Sequence, residues 1–521
     1  MPNEQGRSYE YNSALPIFEE LANVFDDAPY QQKEIARYMR NPQQYNKRLR
    51  KLANWAARVN GSVAAAVNYA CSMHTLDYVA VCKATRKSGK SRYPRNYKTN
   101  SSMLEQTFAA IRYKDIYRDM LRKCCLDGSY FYYMEVVAPE PNQKRRMTDY
   151  DVSCVAEINS NRSGVSVIPL PIDYCRIVGR EDNSYVVAFN LAYFEKQNVN
   201  ERTRLLRGMP AEIREAWGSY SQNQQGGNWV VLDNAHTITG KVCAGINEPW
   251  GVPLVMAALD DVFYARHFVS AKRGILDRIN HQIIYQTFPE GAQKGMSALT
   301  EEQQRVQHQK VKDAVLVAQN RQGVSFFSLP GGTKIDQLEV NSSIFNDDTE
   351  NMVRDNVAVD IGIAPSVMTG NSSGNYATST LNIDLFASFV YSWIESFTQE
   401  MNKAFNACVL KDSSCPVDAY MLPTTFANRD KFVEQTGRLY TEGKGSLTAW
   451  IASVGINPQA YLSLMEYELS EDFENRYPVH ATSYTHASDT EGGRPENDSP
   501  TSGSTLSTKA NASNAAPKPS V

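Results

Sequence analysis

The chain has 521 residues and a mass of 58.4 kDa, with 42% apolar and 21% charged residues and a mean hydropathy of −0.45. That is enough apolar material for a sizeable core, which excludes a wholly disordered chain. Its 54 Lys and Arg against 57 Asp and Glu leave a formal charge of −3, which argues against a protein that grips nucleic acid tightly over a broad basic face.

No apolar run approaches the ~18 residues needed to cross a bilayer, and Met1 to Glu10 are polar, unlike a signal peptide. The expectation is a protein made in the cytoplasm, with no membrane partner. The nine cysteines include no Cys-x-x-Cys pair and read as reduced thiols.

In chain order, residues 14 to 70 read as helical. Leu15, Phe18, Leu21, Ala22 and Phe25 recur at helical spacing, and a second stretch from Gln31 to Arg58 is broken at Asn41-Pro42. Asp77 to Cys82 reads as a short strand. Lys83 to Lys98 carries seven bases and no acid. Met103 to Leu126 returns to helix.

Aromatic and β-branched runs at Tyr130 to Val137, Val165 to Leu170, Cys175 to Val178 and Tyr185 to Phe189, punctuated by Asn, Gly and Pro, read as an antiparallel sheet. Pro210 to Trp217 follows as a helix, and Trp229 to Leu232 and His236 to Thr239 as closing strands. Gly251-Val252-Pro253-Leu254 opens a long helical stretch to about Phe288. Thr300 to Val311 reads as a short polar helix, and Ala314 to Ala318, Val324 to Leu329 and Lys334 to Leu338 as strands.

Asp347 to Asp360 is an acidic helix. Asp347, Asp348, Glu350, Asp355 and Asp360 stand against Arg354 alone, a net −4. A polar run from Thr369 to Thr378 leads to the strongest helix, about Thr380 to Ala407, with Phe386, Phe389, Val390, Trp393, Ile394, Phe397 and Met401 on one stripe. A smaller helical unit spans 428 to 473. The tail from His486 is polar without aromatic residues and reads as disordered.

Few motifs carry chemistry. Ala84 to Ser91 lacks the first glycine of a phosphate-binding loop, and Arg92, Pro94 and Arg95 follow it in place of an apolar helix. It reads as an exposed basic loop, or as a phosphate-backbone contact in which Tyr93 and Tyr97 interleave the charges. Gly370-Asn371-Ser372-Ser373-Gly374 matches the spacing of a nucleophile elbow but lacks the strand before it, so a serine hydrolase using Ser372 stays a minor alternative. The seven histidines are dispersed, with no metal-ligand spacing. No catalytic residue, metal or cofactor is expected.

The order of these parts resembles the portal proteins of tailed double-stranded DNA phages. The resemblance rests on Gly251-Val252-Pro253-Leu254 opening a long helix, a strand-rich insert, an acidic helix running into Gly362-Ile363-Ala364-Pro365-Ser366-Val367-Met368-Thr369-Gly370, a polar loop with Tyr376, and the aromatic-striped helix. Pro169-x-Pro171-Ile172-Asp173-Tyr174 upstream looks like a portal wing strand. The match covers about 160 residues, 247 to 407, and extends more loosely over 1 to 246.

The resemblance implies an α+β portal fold. It places an N-terminal wing at 1–246, stem helices at 247–288 and 346–365, and a β-rich clip at 289–345. A tunnel loop would follow at 366–378, a wing helix and return at 379–427, a crown at 428–478 and a disordered tail at 479–521. It further implies a homo-oligomeric ring, a dodecamer, at one capsid vertex of a virion assembled in host cytoplasm. Its partners would be double-stranded DNA in the channel, the large terminase, major capsid and scaffold proteins, and a head-tail adaptor.

On that reading Asn371, Ser372, Ser373, Asn375 and Tyr376 contact DNA without fixed charge, and glycines at 370 and 374 let each loop adjust. Asp347, Asp348, Glu350, Asp355 and Asp360 form a repulsive wall. Lys310, Lys312, Arg321 and Lys334 contact a clip partner or DNA, within a clip whose charges cancel. Phe386, Phe389, Trp393 and Phe397 pack between subunits. Another virion component, a minor head or connector protein, is the main alternative.

Overall fold

The computed structural model describes residues 30, 32–82, 94–137, 164–222, 227–280, 284–292, 297–320, 334–337, 347–369 and 376–477. It divides into two units, Met1–Ile456 and Asn457–Val521. The expected helix at 14–29, the strand at Val324 to Leu329, most of the basic run from Lys83 and the tail lie outside the described residues.

Helices α1 (Gln32–Arg40) and α2 (Asn46–Val59) flank the break at Pro42. Asn60 then caps α3 (Gly61–Ser72), its side-chain oxygen accepting from the N–H groups of Ser62 and Val63 at 2.9 and 3.1 Å. Strand β1 (Tyr78–Cys82) follows. The helix expected over 103–126 is two, α4 (Tyr97–Ala110) and α5 (Tyr113–Leu126), because Arg112 between them takes a left-handed φ of 52°.

The strands are β2 (Ser129–Val136), β3 (Val165–Pro169), β4 (Cys175–Glu181), β5 (Ser184–Asn190), β6 (Trp229–Val231) and β7 (Thr237–Lys241). Helices α6 (Ala192–Glu195), α7 (Val199–Arg207) and α8 (Ala211–Gln222) lie between β5 and β6. The expected single sheet is two three-stranded antiparallel ones, ordered β3-β2-β7 and β4-β5-β6.

Alternation along β2 explains this division. Tyr130, Tyr132 and Met134 point into the larger core, while Phe131 and Tyr133 point into a second one with Val187, Phe189, Phe194 and Ile213. The strand is thus buried on both faces.

Beyond Pro253 a 3₁₀ turn (Leu254–Ala258) leads into α9 (Leu259–Asn280), then β8 (Ile284–Thr287). The helix expected to reach Phe288 is therefore cut short, because Ile284 and Tyr285 pair as a strand with β9 (Lys334–Gln337). In the opposite direction, the strand expected at Ala314–Ala318 is the end of a long helix, α10 (Glu301–Asn320). Its short apolar run fits either state, and the helix begun at Glu301 continues through it.

Helix α11 (Asp347–Ile361) ends in a Schellman motif. Gly362 sits at φ 90°, its N–H donates to Val359 O at 2.9 Å, and the Ile363 N–H donates to Ala358 O at 2.9 Å. Short α12 (Pro365–Thr369) precedes α13 (Tyr376–Ala404), which is about 44 Å long. A π-helical turn, Phe405–Leu410, ends it.

The 408–427 junction contains β10 (Val417–Met421), which pairs antiparallel with β1. Helices α14 (Arg429–Thr441) and α15 (Leu447–Val454) complete the first unit. The division at Ile456 thus falls inside the segment expected as one crown. In the second unit, Asn457 caps α16 (Pro458–Ser470), none of whose residues is buried, and α17 (Phe473–Arg476) follows.

Where backbones touch, glycine is required. A Cβ on Gly251 would sit 1.8 Å from the carbonyl oxygen of Gly128, whose own φ is 72°, whereas a Cβ on Gly61 would meet nothing within 4 Å. Gly251→Ala should therefore cost at least ~2 kcal/mol through backbone displacement. Gly61→Ala should be neutral or stabilising by ~0.4–1 kcal/mol. Thermal melts of the two variants beside the parent check this pair, and equal melts would contradict the contact.

Candidate functional site

Helices α9 and α11 lie side by side, and two contacts fix their sense. Lys272 Nζ meets Glu350 Oε2 at 2.6 Å, and Asp261 reaches the Asp360 carboxyl within hydrogen-bonding distance. Going up one helix from 261 to 272 therefore goes down the other from 360 to 350. The rises, about 16 and 15 Å, agree. The pair is antiparallel, and Val353, Val357, Ala358 and Ile361 form its buried seam with Val262 and the 3₁₀ turn.

The five acids of α11 meet unlike surroundings. Glu350 is closed by Lys272 and by Arg354 at 2.7 Å, and the Lys272 hydrogen bond followed by the charges of Lys272 and Arg354 holds its carboxyl below the ordinary value. Asp355 keeps one oxygen buried with no hydrogen-bond donor among the described residues. Asp348 and Asp360 are exposed. Burial, then the hydrogen bond and charge of Asp261 and the charge of Asp260, push the Asp360 carboxyl up. The side chain of Asp347 lies outside the described residues.

Lys272 and Asp261 are the residues that sequence reading misses. Each acts across 78 to 99 positions, a separation for which helical periodicity carries no signal.

Unpartnered apolar side chains occupy the same helices: Tyr264 at 51% exposed on α9, Met352 at 52% and Val359 at 59% on α11. On α13, Leu381 and Leu385 are 64% and 69% exposed and share a face with Phe389.

The inter-subunit role expected of the aromatic stripe needs correction. Phe386, Trp393 and Phe397 are buried in the chain's own core, so they cannot reach a neighbour. Phe389, 41% exposed and in edge contact with Trp393 at 4.9 Å, remains available. Lys310, Lys312 and Lys334 are exposed, whereas Arg321 lies outside the described residues. So do Asn371, Ser372, Ser373, Asn375 and the side chain of Tyr376, which begins α13.

Among the described residues, no group of His, Cys, Asp and Glu gathers as a metal site, and no helix is long and apolar enough to cross a membrane. The thiols of Cys82 and Cys415 approach to 3.4 Å.

Comparison with known proteins gives the following. About 80% of the chain aligns with 94% of a chain in the neck of an empty gene transfer agent particle, at 13% identity and a TM-score of 0.44. A chain from the virion of a native gene transfer agent particle aligns equally widely, at 12% identity and 0.45. An HK97-family phage portal protein from Corynebacterium diphtheriae aligns over 71% of this chain and 94% of its own, at 13% identity and 0.31.

The SPbeta prophage-derived uncharacterized protein YonE of Bacillus subtilis (strain 168) is 23% identical over 238 residues, 44% of this chain. The chain spans 46% of the length of that relative. No family model matches.

The two acids predict opposite responses to pH. A carboxyl with a raised folded pKa costs stability at neutral pH, and the cost vanishes once pH falls below the unfolded value of ~3.9. Asp360→Asn should therefore raise Tm at pH 7 and leave it unchanged at pH 3. A carboxyl with a lowered pKa stabilises above ~4.3, and the gain is lost as pH falls through the folded value. Lys272→Met should lower Tm at pH 7, with the gap to the parent narrowing below pH 4. Calorimetry across that range checks both, and parallel curves would contradict the assignments.

Proposed function

We propose that this chain is a portal-type virion component. Copies of it close into a ring at one capsid vertex, through which double-stranded DNA is packaged and later ejected. The antiparallel pair α9 and α11 carries the reading. It follows the Gly251-Val252-Pro253-Leu254 turn and is continued by the Gly362 turn, α12 and long α13, which is the order of parts on which the portal resemblance rests. The pair also leaves Tyr264, Met352 and Val359 uncovered, and apolar faces of this kind are suited to burial against a second copy.

The chain does no chemistry of its own in this reading. A large terminase drives DNA through the ring and a head-tail adaptor later docks on it, while major capsid and scaffold proteins surround it. The exposed carboxylates of Asp348 and Asp360 present weak negative charge to a passing polyanion, and the polar run 370–375 offers hydrogen bonds without fixed charge. Such a lining lets DNA slide, because few condensed counterions are released on contact. Lys310, Lys312, Arg321 and Lys334 are assigned to the clip partner, and Asp355, with its unmatched buried oxygen, to a donor on the neighbouring copy.

The stripe Leu381, Leu385 and Phe389 supports lateral contact more directly than the buried aromatics do. Light scattering on material extracted from particles should give a closed oligomer, with a hole visible in axial electron-microscope averages. Leu385→Glu should shift the oligomer toward single chains without lowering the melting temperature of the single chain. A parent chain that stays solitary in the particle would overturn the reading. An intact ring in the variant would remove this stripe from the interface.

A further inference from the structure

The near-neutral total hides a segregation of charge. Residues 32–59, which form α1 and α2, carry eight bases and one acid, a net +7 in a chain of net −3. Seven of the eight bases are exposed: Lys33, Arg37, Arg40, Lys47, Arg48, Lys51 and Arg58.

On α2 the bases are ordered. Lys47, Lys51, Asn54 and Arg58 follow at steps of four, three and four, so they share one helical face about 16 Å long. That face lines a groove of about 460 Å³, completed by Arg50, Trp55, Asp127, Ile172 and Asp173.

The acids of the groove are already engaged. Asp173 accepts from Lys47 at 2.8 Å and from Arg50 at 2.5 Å. Asp127 accepts from Asn54 at 3.3 Å and is pushed up by burial. Arg50 is fixed behind the groove by Asn46 and by the Trp250 ring at 5.1 Å. Lys51 and Arg58 are exposed and show no such bond among the described residues. Trp55, stacked on Phe263 at 5.2 Å, holds a buried indole N–H with no acceptor among the described residues.

We infer that this face of α2 and its groove bind the phosphate backbone of a nucleic-acid duplex. Three observations favour that partner over an acidic protein. The outward row is cations and an amide, and the groove adds only Trp55 and Ile172 as apolar lining, whereas protein interfaces are built round an apolar centre. The bases repeat along a straight line about 16 Å long, against which a strand offers a phosphate every ~3.4 Å. The free donors match phosphate oxygens and read no base, so the contact is independent of sequence. The inference adds to the portal reading a place where DNA is held, distinct from the weakly acidic helices.

The test is fluorescence anisotropy of a labelled 30-base-pair duplex of arbitrary sequence, titrated with the full-length protein at several KCl concentrations. The parent should bind with an affinity that falls steeply with salt. Lys51→Glu with Arg58→Glu should weaken binding more than tenfold and flatten the log–log salt slope by about 2. Lys431→Glu with Lys444→Glu, the same change of charge on other exposed lysines, should leave binding within twofold. Lys51→Gln with Arg58→Gln serves should the reversal fail to fold, as judged by circular dichroism, and should give about half the effect on the logarithm of the affinity.

Equal binding by parent and groove variants overturns the inference. So does a parent that ignores DNA, whether or not it captures an acidic peptide of residues 457–477 through the same two bases. Light scattering on the same samples separates the two readings. A ring without DNA binding at α2 defeats this inference alone, and a solitary chain that binds DNA there defeats the portal reading alone.

Discussion

Phe397 is the point on which the larger core turns. Its ring meets Tyr117 of α5 edge-on at 4.7 Å, and Tyr130 and Tyr132 of β2 at 5.4 and 5.7 Å. Tyr117 also exchanges a hydrogen bond with Thr398 at 2.9 Å, the next residue of α13. One side chain thus joins a helix, a strand and a second helix separated by some 280 positions. Edge-to-face pairs of this kind add ~0.5–1.5 kcal/mol each beyond the area they bury. Because β2 turns its other face to the second core, a shift of α13 would be felt in both. The same helix is tied to β5 by Lys403, which bridges Glu400 and Ser184 at 2.7 Å each.

With α13 so anchored, its remaining face is left to other work. The residues that periodicity puts on one stripe are divided by the packing: Phe386, Val390, Trp393 and Phe397 point inward, while Phe389 stands with Leu381 and Leu385 outside. A helix with 3.6 residues per turn and an apolar band wider than one core needs shows only a broad stripe in sequence. Which edge of that stripe stays uncovered is decided by neighbours that come from α5 and β2.

Much of the architecture was legible because it is local. The break at Pro42 and the Gly362 stop are each written within a few residues. The errors occur where local preference is even. Ala314 to Ala318 suits a strand or a helix, and the helix begun at Glu301 decides it. Ile284 and Tyr285 leave the helical state because β9, some 50 residues on, pairs with them. The β1–β10 pairing joins Tyr78 to Met421, and no short window contains it. At the candidate site, the acids of α11 are plain in sequence, but their effect is not. Glu350 is neutralised by Lys272, 78 positions away, while Asp360 is set against Asp261.

The electrostatic argument therefore has to be made by face rather than by total. A net charge of −3 over 521 residues excludes a uniformly basic surface, yet says nothing of a segment. Coulomb interactions between exposed charges decay within about 8–10 Å at physiological salt, so a face about 16 Å long acts on its own charges and hardly on the sum. Helix α11, whose −4 already counts Arg354, gives up one further charge to Lys272 of α9. Helix α2 loses only part of its excess to Asp173 and keeps Lys51 and Arg58 free. The weakly acidic helix and the strongly basic one can then serve one polyanion in different ways, one by failing to hold it and the other by releasing its counterions.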